Sequence, residues 1–217
     1  MKTDKDLQHD VQVELNWEPS VNAAHIGVSA KDGVVCLLGH VPSYAEKLAA
    51  EKATKRVYGA KAVVDELEVK LPRNGRRTDE DVASCCVAAL KHNYAVPAES
   101  IKVLLNNGWV TLDGDVEWQY QKAAAESAVC YLTGVVGVTN NINLKPRVST
   151  SDVRHKIEDA FKRNAEIDAR RVKVDASNGK VTLKGCVRSW AERDEAQHAA
   201  WSAPGVTLVE NLISVSP

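Results

Sequence analysis

Six histidines and five cysteines are the residues of this chain able to hold a metal or to act as base or nucleophile. Their spacing serves neither purpose. His9, His25, His40, His92, His155 and His198 stand at no metal-ligand spacing from one another or from a cysteine, and no His-Glu-x-x-His occurs. Cys36, Cys85, Cys86, Cys130 and Cys186 are odd in number, include an adjacent pair and form no Cys-x-x-Cys. That is the pattern of free thiols in a reducing compartment, not of a disulfide framework. Cys86 falls on an apolar helix face, where it reads as a small hydrophobe. A catalytic cysteine needs an activating base, and the sequence names none. No catalytic residue, metal or cofactor is expected.

The aromatic residues carry more information. Tyr44, Trp118, Tyr120 and Trp190 all fall where a strand turns into a helix, beside Lys47, Lys122, Arg188 and Arg193. Two readings are open. The rings staple the turn onto the helix, or they form a half-wet rim suited to a membrane interface or a partner groove, positions that Trp and Tyr favour. Trp17 and Trp201 are expected to bury against neighbouring units. Arg163, Arg170, Arg171 and Lys173 are interleaved with Glu158, Asp159, Glu166 and Asp168, which reads as a solvated mixed face.

What positions these residues is a repeat. The motif (Asp/Asn)-Gly-x-Val-x-Leu-x-Gly occurs at 32–39, 107–114 and 178–185, and each copy is followed 20 residues later by another glycine. The repeated set is Gly33, Gly39 and Gly59, then Gly108, Gly114 and Gly134, then Gly179, Gly185 and Gly205. Such a shared internal spacing in three places means one structural unit used three times. Asp-Gly and Asn-Gly favour the positive φ that type I′ hairpin turns require. The motif is not Gly-x-Gly-x-x-Gly and opens no helix directly after a strand, so it is no phosphate cradle.

Around each hairpin the same elements recur. Leu7/Val11/Leu15, Val82/Cys86/Leu90 and Val153/Ile157/Phe161 lie at helical spacing behind acidic or Ser/Thr starts, with Thr78 and Ser151 or Asp152 as caps. Proline in Trp17-Glu18-Pro19 stops the first helix. Alternating runs Ile26–Val28, Ile101–Val103 and Val172–Val174 begin the hairpins. Alanine-rich helices follow at about 43–58, 118–133 and 189–203, and a last strand closes each unit. Counting from Gly205 to Leu212 suggests a one-residue deletion at the start of the third closing strand. The fold class is therefore α+β: three tandem α-β-β-α-β units, each a three-stranded mixed sheet with two helices on one face and its other face open.

The units are bounded at 1–72, 78–146 and 149–217, with short basic linkers at 73–77 and 147–148. Counted with the linkers, over 1–77, 78–147 and 148–217, their net charges are +1, −3 and +1. No concentrated basic face is available, which argues against nucleic acid as partner. There is no apolar leader at the N-terminus and no run long enough to span a membrane. A cytoplasmic location is expected, or a periplasmic one if a signal segment precedes this sequence.

Together these features resemble the BON domain, a bacterial module. The resemblance rests on the Gly-x-Val-x-Leu-x-Gly hairpin, on Val41, Val116 and Val187 two residues beyond it, on the Ala-rich helix and on the ending seen at Gly134-Val135-Val136-Gly137-Val138-Thr139-Asn140-Asn141-Ile142. In the first copy Asp65-Glu66 replaces the asparagines of that ending. The resemblance implies a non-catalytic stress-associated protein that binds anionic phospholipid, membrane surfaces or an apolar ligand, or else a protein-interaction scaffold or holdase. On the lipid reading the contacts are Tyr44, Trp118, Tyr120, Lys122, Trp190, Arg188 and Arg193.

Overall fold

The computed structural model describes residues 3–72, 75, 77–145, 152–164 and 171–216. The expected linker residues Arg73, Asn74, Arg76, Arg147 and Val148, the cap Ser151, and Glu166, Asp168 and Arg170 of the mixed face lie outside the described residues.

The first repeat runs α1 (Asp4–Trp17), β1 (Ile26–Lys31), β2 (Val34–Val41), α2 (Tyr44–Arg56) and β3 (Ala62–Val69). The second runs α3 (Asp79–His92), β4 (Ile101–Asn106), β5 (Trp109–Val116), α4 (Gln119–Cys130) and β6 (Gly137–Leu144). The third runs α5 (Val153–Arg163), β7 (Val172–Ser177), β8 (Lys180–Val187), α6 (Trp190–Trp201) and β9 (Leu208–Val215). Each repeat builds its own three-stranded sheet with the second hairpin strand in the middle. In the first and third sheets that strand pairs antiparallel with its hairpin partner and parallel with the closing strand. The chain forms two compact units, residues 1–115 with 121–143, and residues 116–120 with 144–217.

Local chemistry explains the starts of α1 and α3. Thr3 caps α1 in a reciprocal box with Asp6, and Thr78 accepts from the Asp81 amide at the head of α3. Asp152 stands at the cap of α5 without a side-chain hydrogen bond. The first helix also ties down the hairpin: Asp4 accepts from the Asp32 amide at 2.9 Å, and Asp79 accepts from Asn107 and Gly108 at 2.7 and 2.9 Å. The turns are of type I′, with positive φ at Asp32-Gly33, Asn107-Gly108 and Asn178-Gly179. The glycine that closes each motif is a steric requirement. A Cβ on Gly39, Gly114 or Gly185 would overlap the carbonyl oxygen of His25, Ser100 or Arg171, just before the first strand.

The core lies between the helices and the inner sheet face. In the first repeat Leu7, Val11 and Leu15 meet Val35, Leu37, Ala50, Ala53 and Leu67. In the third, Ile157 and Phe161 meet Val181, Leu183, Ala196, Ala200 and Ile213. Alanine on the second helix lets it lie close to the strands. Cys86 is fully buried in line with Val11 and Ile157, so it acts as a hydrophobe.

Two expectations fail. The third closing strand carries no deletion: Ile213 is buried and pairs with Gly185 as Leu67 pairs with Gly39, whereas Leu212 is 55% exposed on the outer face. The count from Gly205 had matched the wrong leucine-like residue, and strand alternation turns a one-residue error into a change of face. Trp17 does not bury against a neighbour, for it is 80% exposed at the end of α1. Trp201 is partly buried against the core of its own repeat.

Candidate functional site

The rim residues sit at the starts of α2, α4 and α6; at α2 and α6 an N-cap serine accepts from the amide three residues on (Ser43 from Glu46, Ser189 from Glu192). This cap fixes the chain direction, so the next side chain, Tyr44 or Trp190, leaves the helix at its first turn. The three rims are not alike.

Tyr44 is half-buried within the first compact unit. Burial raises its phenol above the ordinary value, the Glu126 charge adds to this, and a hydrogen bond from the Val138 amide opposes it. Glu126 and Val138 belong to the second repeat, so this ring joins the first two repeats. Trp118, just before α4, is 37% exposed, and Tyr120 in its first turn is 58% exposed. Trp190 is half-buried under the Arg193 guanidinium, 5.1 Å from the ring centroid, a cation–π arrangement.

The cations have a structural task as well. Lys47 and Lys122 each donate through Nζ to the carbonyl of the buried residue of the closing strand, Leu67 at 2.6 Å and Ile142 at 2.7 Å. Arg193 does the same at Ile213, 3.1 Å through Nε, and also reaches the Asn211 carbonyl at 3.2 Å. Arg188 is exposed, with its amide donating to Glu192 Oε2 at 2.9 Å.

Beside each cation stands the residue in which the repeats differ. Asn140 donates to the Lys122 carbonyl and to Glu126, and accepts from the Ile142 amide. Asn211 donates to the Arg193 carbonyl and to Gln197, and accepts from Ile213. Asp65 keeps only the acceptor half of this pattern, taking the Leu67 amide at 2.9 Å, with the Lys47 ammonium 3.5 Å away. These asparagines couple helix to sheet. The sequence displayed the asparagine-to-aspartate exchange but not the partners, which lie 14 to 18 positions earlier.

Two further features escaped the sequence reading. A cleft of about 430 Å³ in the first unit is floored by Ala45, Leu48 and Ala49 and flanked by Lys52, Arg56 and Tyr131. Arg56 is held there by Glu14 and Glu18 at 2.9 and 2.7 Å, and this pairing lowers the Glu18 carboxyl. On the outer face of the second sheet, Trp109 lies against Gly137, where a Cβ would collide with the ring, and donates through Nε1 to Thr139 at 2.8 Å. The available signal was Gly137 itself, since the first and third copies carry Ala62 and Leu208 there.

The His25 and His40 rings stack with centroids 4.7 Å apart. Among the described residues no three His, Cys, Asp or Glu side chains gather as a metal site, and no helix is long and apolar enough to cross a membrane.

Comparison with known proteins matches the BON domain at residues 3–70, 78–146 and 149–217. Over 146 residues the chain is 31% identical to the osmotically-inducible protein Y of Escherichia coli (strain K12), covering 65% of this chain and 73% of that protein. Among solved structures, the C-terminal domain of CdsD, a structural protein of the Chlamydia trachomatis type III secretion system, is 17% identical, with 98% of each chain covered and a TM-score of 0.27. A second CdsD structure gives 17% identity over 98% of this chain and 93% of that one, with a TM-score of 0.28. At those scores the overlay supports no argument.

Proposed function

The chain belongs to the BON domain family, in three tandem copies, and on that premise we propose that it is a non-catalytic, osmotic-stress-associated protein that binds phospholipid headgroups at its strand-to-helix rims. The stress assignment follows the name of its 31% identical relative. The lipid assignment is carried by one observation, the half-wet aromatic residues Trp118, Tyr120 and Trp190 set among cations. An indole or phenol with one wet edge suits the headgroup layer. Lys122 commits one of its three N–H donors to Ile142, which leaves two for a phosphate oxygen. Arg188 offers its whole guanidinium from an exposed position.

Flotation with anionic and neutral vesicles, at low and physiological salt, tests this reading. The expected result is retention on anionic vesicles alone, weakened by salt, since each basic side chain near such a surface contributes roughly 1 kcal/mol. Trp118→Ala and Trp190→Ala are expected to lower retention. Absence of flotation under every condition removes the lipid reading.

A second reading has its own support. Val34, Leu38 and Val64 are exposed on the outer face of the first sheet, with Cys36 between them and paired to Val64. An apolar strip of this kind suits a protein partner, as a scaffold or a holdase would need. Suppression of aggregation of reduced insulin by the wild-type chain, lost in Leu38→Ser, would favour it.

A further inference from the structure

We propose that the outer face of the second sheet is a binding platform for a neutral carbohydrate chain, with the Trp109 ring as the surface on which one pyranose stacks. Nothing in this inference depends on the rims, which lie at the helix starts.

The platform begins with a ring held flat. Trp109 stands at the first position of β5, where the other repeats place Val34 and Lys180. Gly137 opposite it has no side chain, so the indole settles on the backbone, and its Nε1–H is anchored to Thr139 Oγ1 at 2.8 Å. Both in-plane freedom and tilt are thereby restricted. The ring is nevertheless 50% exposed. The ring meets Gly137 and still leaves half of its surface open to a ligand, and a pre-oriented ring loses little entropy on binding.

What surrounds the ring selects the ligand. Thr111, Asp113 and Asp115 follow Trp109 at alternate positions on the same outer face, spaced about 6.7 Å apart by strand pitch. Asn141 and Asn143 stand likewise on β6, outward of buried Ile142, with Leu104 and Lys102 paired to Thr111 and Asp113 from β4. Together these hydroxyl, carboxylate and amide groups supply both acceptors and donors, the complement of sugar hydroxyls. An apolar C–H face of a pyranose fits the indole. The acidic side chains, in a repeat of net charge −3, repel phosphate, so a stacked nucleic acid is disfavoured. Lys102 opposite Asp113 makes the row mixed in charge, which disfavours a polycation. A neutral polyhydroxyl chain laid along β5 is what remains.

The test is proton–nitrogen NMR of the full chain, following the indole signals of its five tryptophans during titration with maltohexaose, cellohexaose and chitohexaose. The expected result is saturable perturbation of the Trp109 indole by at least one of the three sugars. Trp109→Ala should weaken calorimetric affinity roughly tenfold or more, while Trp17→Ala, at an 80% exposed ring at the end of α1, leaves it unchanged. Gly137→Ala, which lifts the ring while keeping it, should weaken binding as well. Three results would overturn the proposal: no saturable shift with any sugar at millimolar concentration, shifts confined to Trp118 or Trp190, or a larger response of Trp109 to oligothymidylate than to sugars. Should Trp109→Ala fail to fold, the wild-type titration still decides.

Discussion

Asn140 and Asn211 show how much one side chain settles in this fold. Each spans the gap between second helix and closing strand with three hydrogen bonds. Asn140→Ala strands a strand amide and a helix carbonyl and is expected to cost about 1–3 kcal/mol, measured by urea unfolding. Aspartate is tolerated at Asp65 because its surroundings changed with it: Glu51, the counterpart of Glu126, turns to Lys55 at 2.6 Å. The second repeat has Cys130 where Lys55 stands, so Asn140→Asp sets two carboxylates together. The third has Gln197 in place of the glutamate. Asn211→Asp is therefore expected to lower the melting temperature less than Asn140→Asp, and equal losses would refute this account.

Cys86 gives a pH prediction at the same scale: burial pushes its thiol from an ordinary 9.0 up to about 11. The folded state thus favours the protonated thiol, and this contribution is complete below pH 9 and disappears as pH climbs through about 11. Cys86→Val, which copies Val11, should flatten that alkaline loss in thermal melts. Under native conditions a thiol reagent should label exposed Cys85 and spare Cys86.

At the scale of elements, most of the architecture was legible. Periods of 3.6 and 2 gave the helices and strands, and Asp-Gly or Asn-Gly gave the turn type, because both signals are local. The closing glycine was legible as a close approach, and Gly114→Ala tests it. With φ at 149° and the Ser100 carbonyl in the way, this change should destabilise by well over 1 kcal/mol, whereas Thr78→Ala, the loss of a cap, should cost about 1 kcal/mol. Equal melting temperatures for the two variants would contradict this ranking. The register of β9 was misread because Leu212 and Ile213 are both apolar, and only the pairing of Ile213 with Gly185 separates them. The Lys122 and Arg193 carbonyl bonds were not legible at all. A cation on a helix looks the same in sequence whether it faces water or a strand 20 residues away.

At the scale of the whole molecule, repetition preserved the inner faces and released the outer ones. The first and third repeats each close their own hydrophobic cluster. Unfolding should therefore depart from a single cooperative transition, with a calorimetric enthalpy above the van't Hoff value; equality of the two would show that the repeats melt as one. The outer sheet faces differ from copy to copy. The first is apolar at Val34, Leu38 and Val64, the second carries Trp109 with acids and amides, and the third pairs Lys180 with Glu210 at 2.9 Å. Sequence comparison among the three repeats sees such positions only as variation.

The hairpin turn of the second repeat has a bearing on chemical ageing. Asn-Gly is the dipeptide most prone to deamidation, because the next residue's backbone nitrogen attacks the asparagine side-chain amide carbon and expels ammonia, and glycine has no side chain to hinder that approach. At Asn107-Gly108 that nitrogen belongs to Gly108, and its hydrogen is already donated to Asp79 Oδ1 at 2.9 Å. The same carboxylate holds the Asn107 amide at 2.7 Å, so the turn cannot swing into the geometry of ring closure while α3 stays docked. Isoaspartate at residue 107 would then accumulate only during excursions out of the native state, and its level in an aged sample would record the time this repeat has spent open.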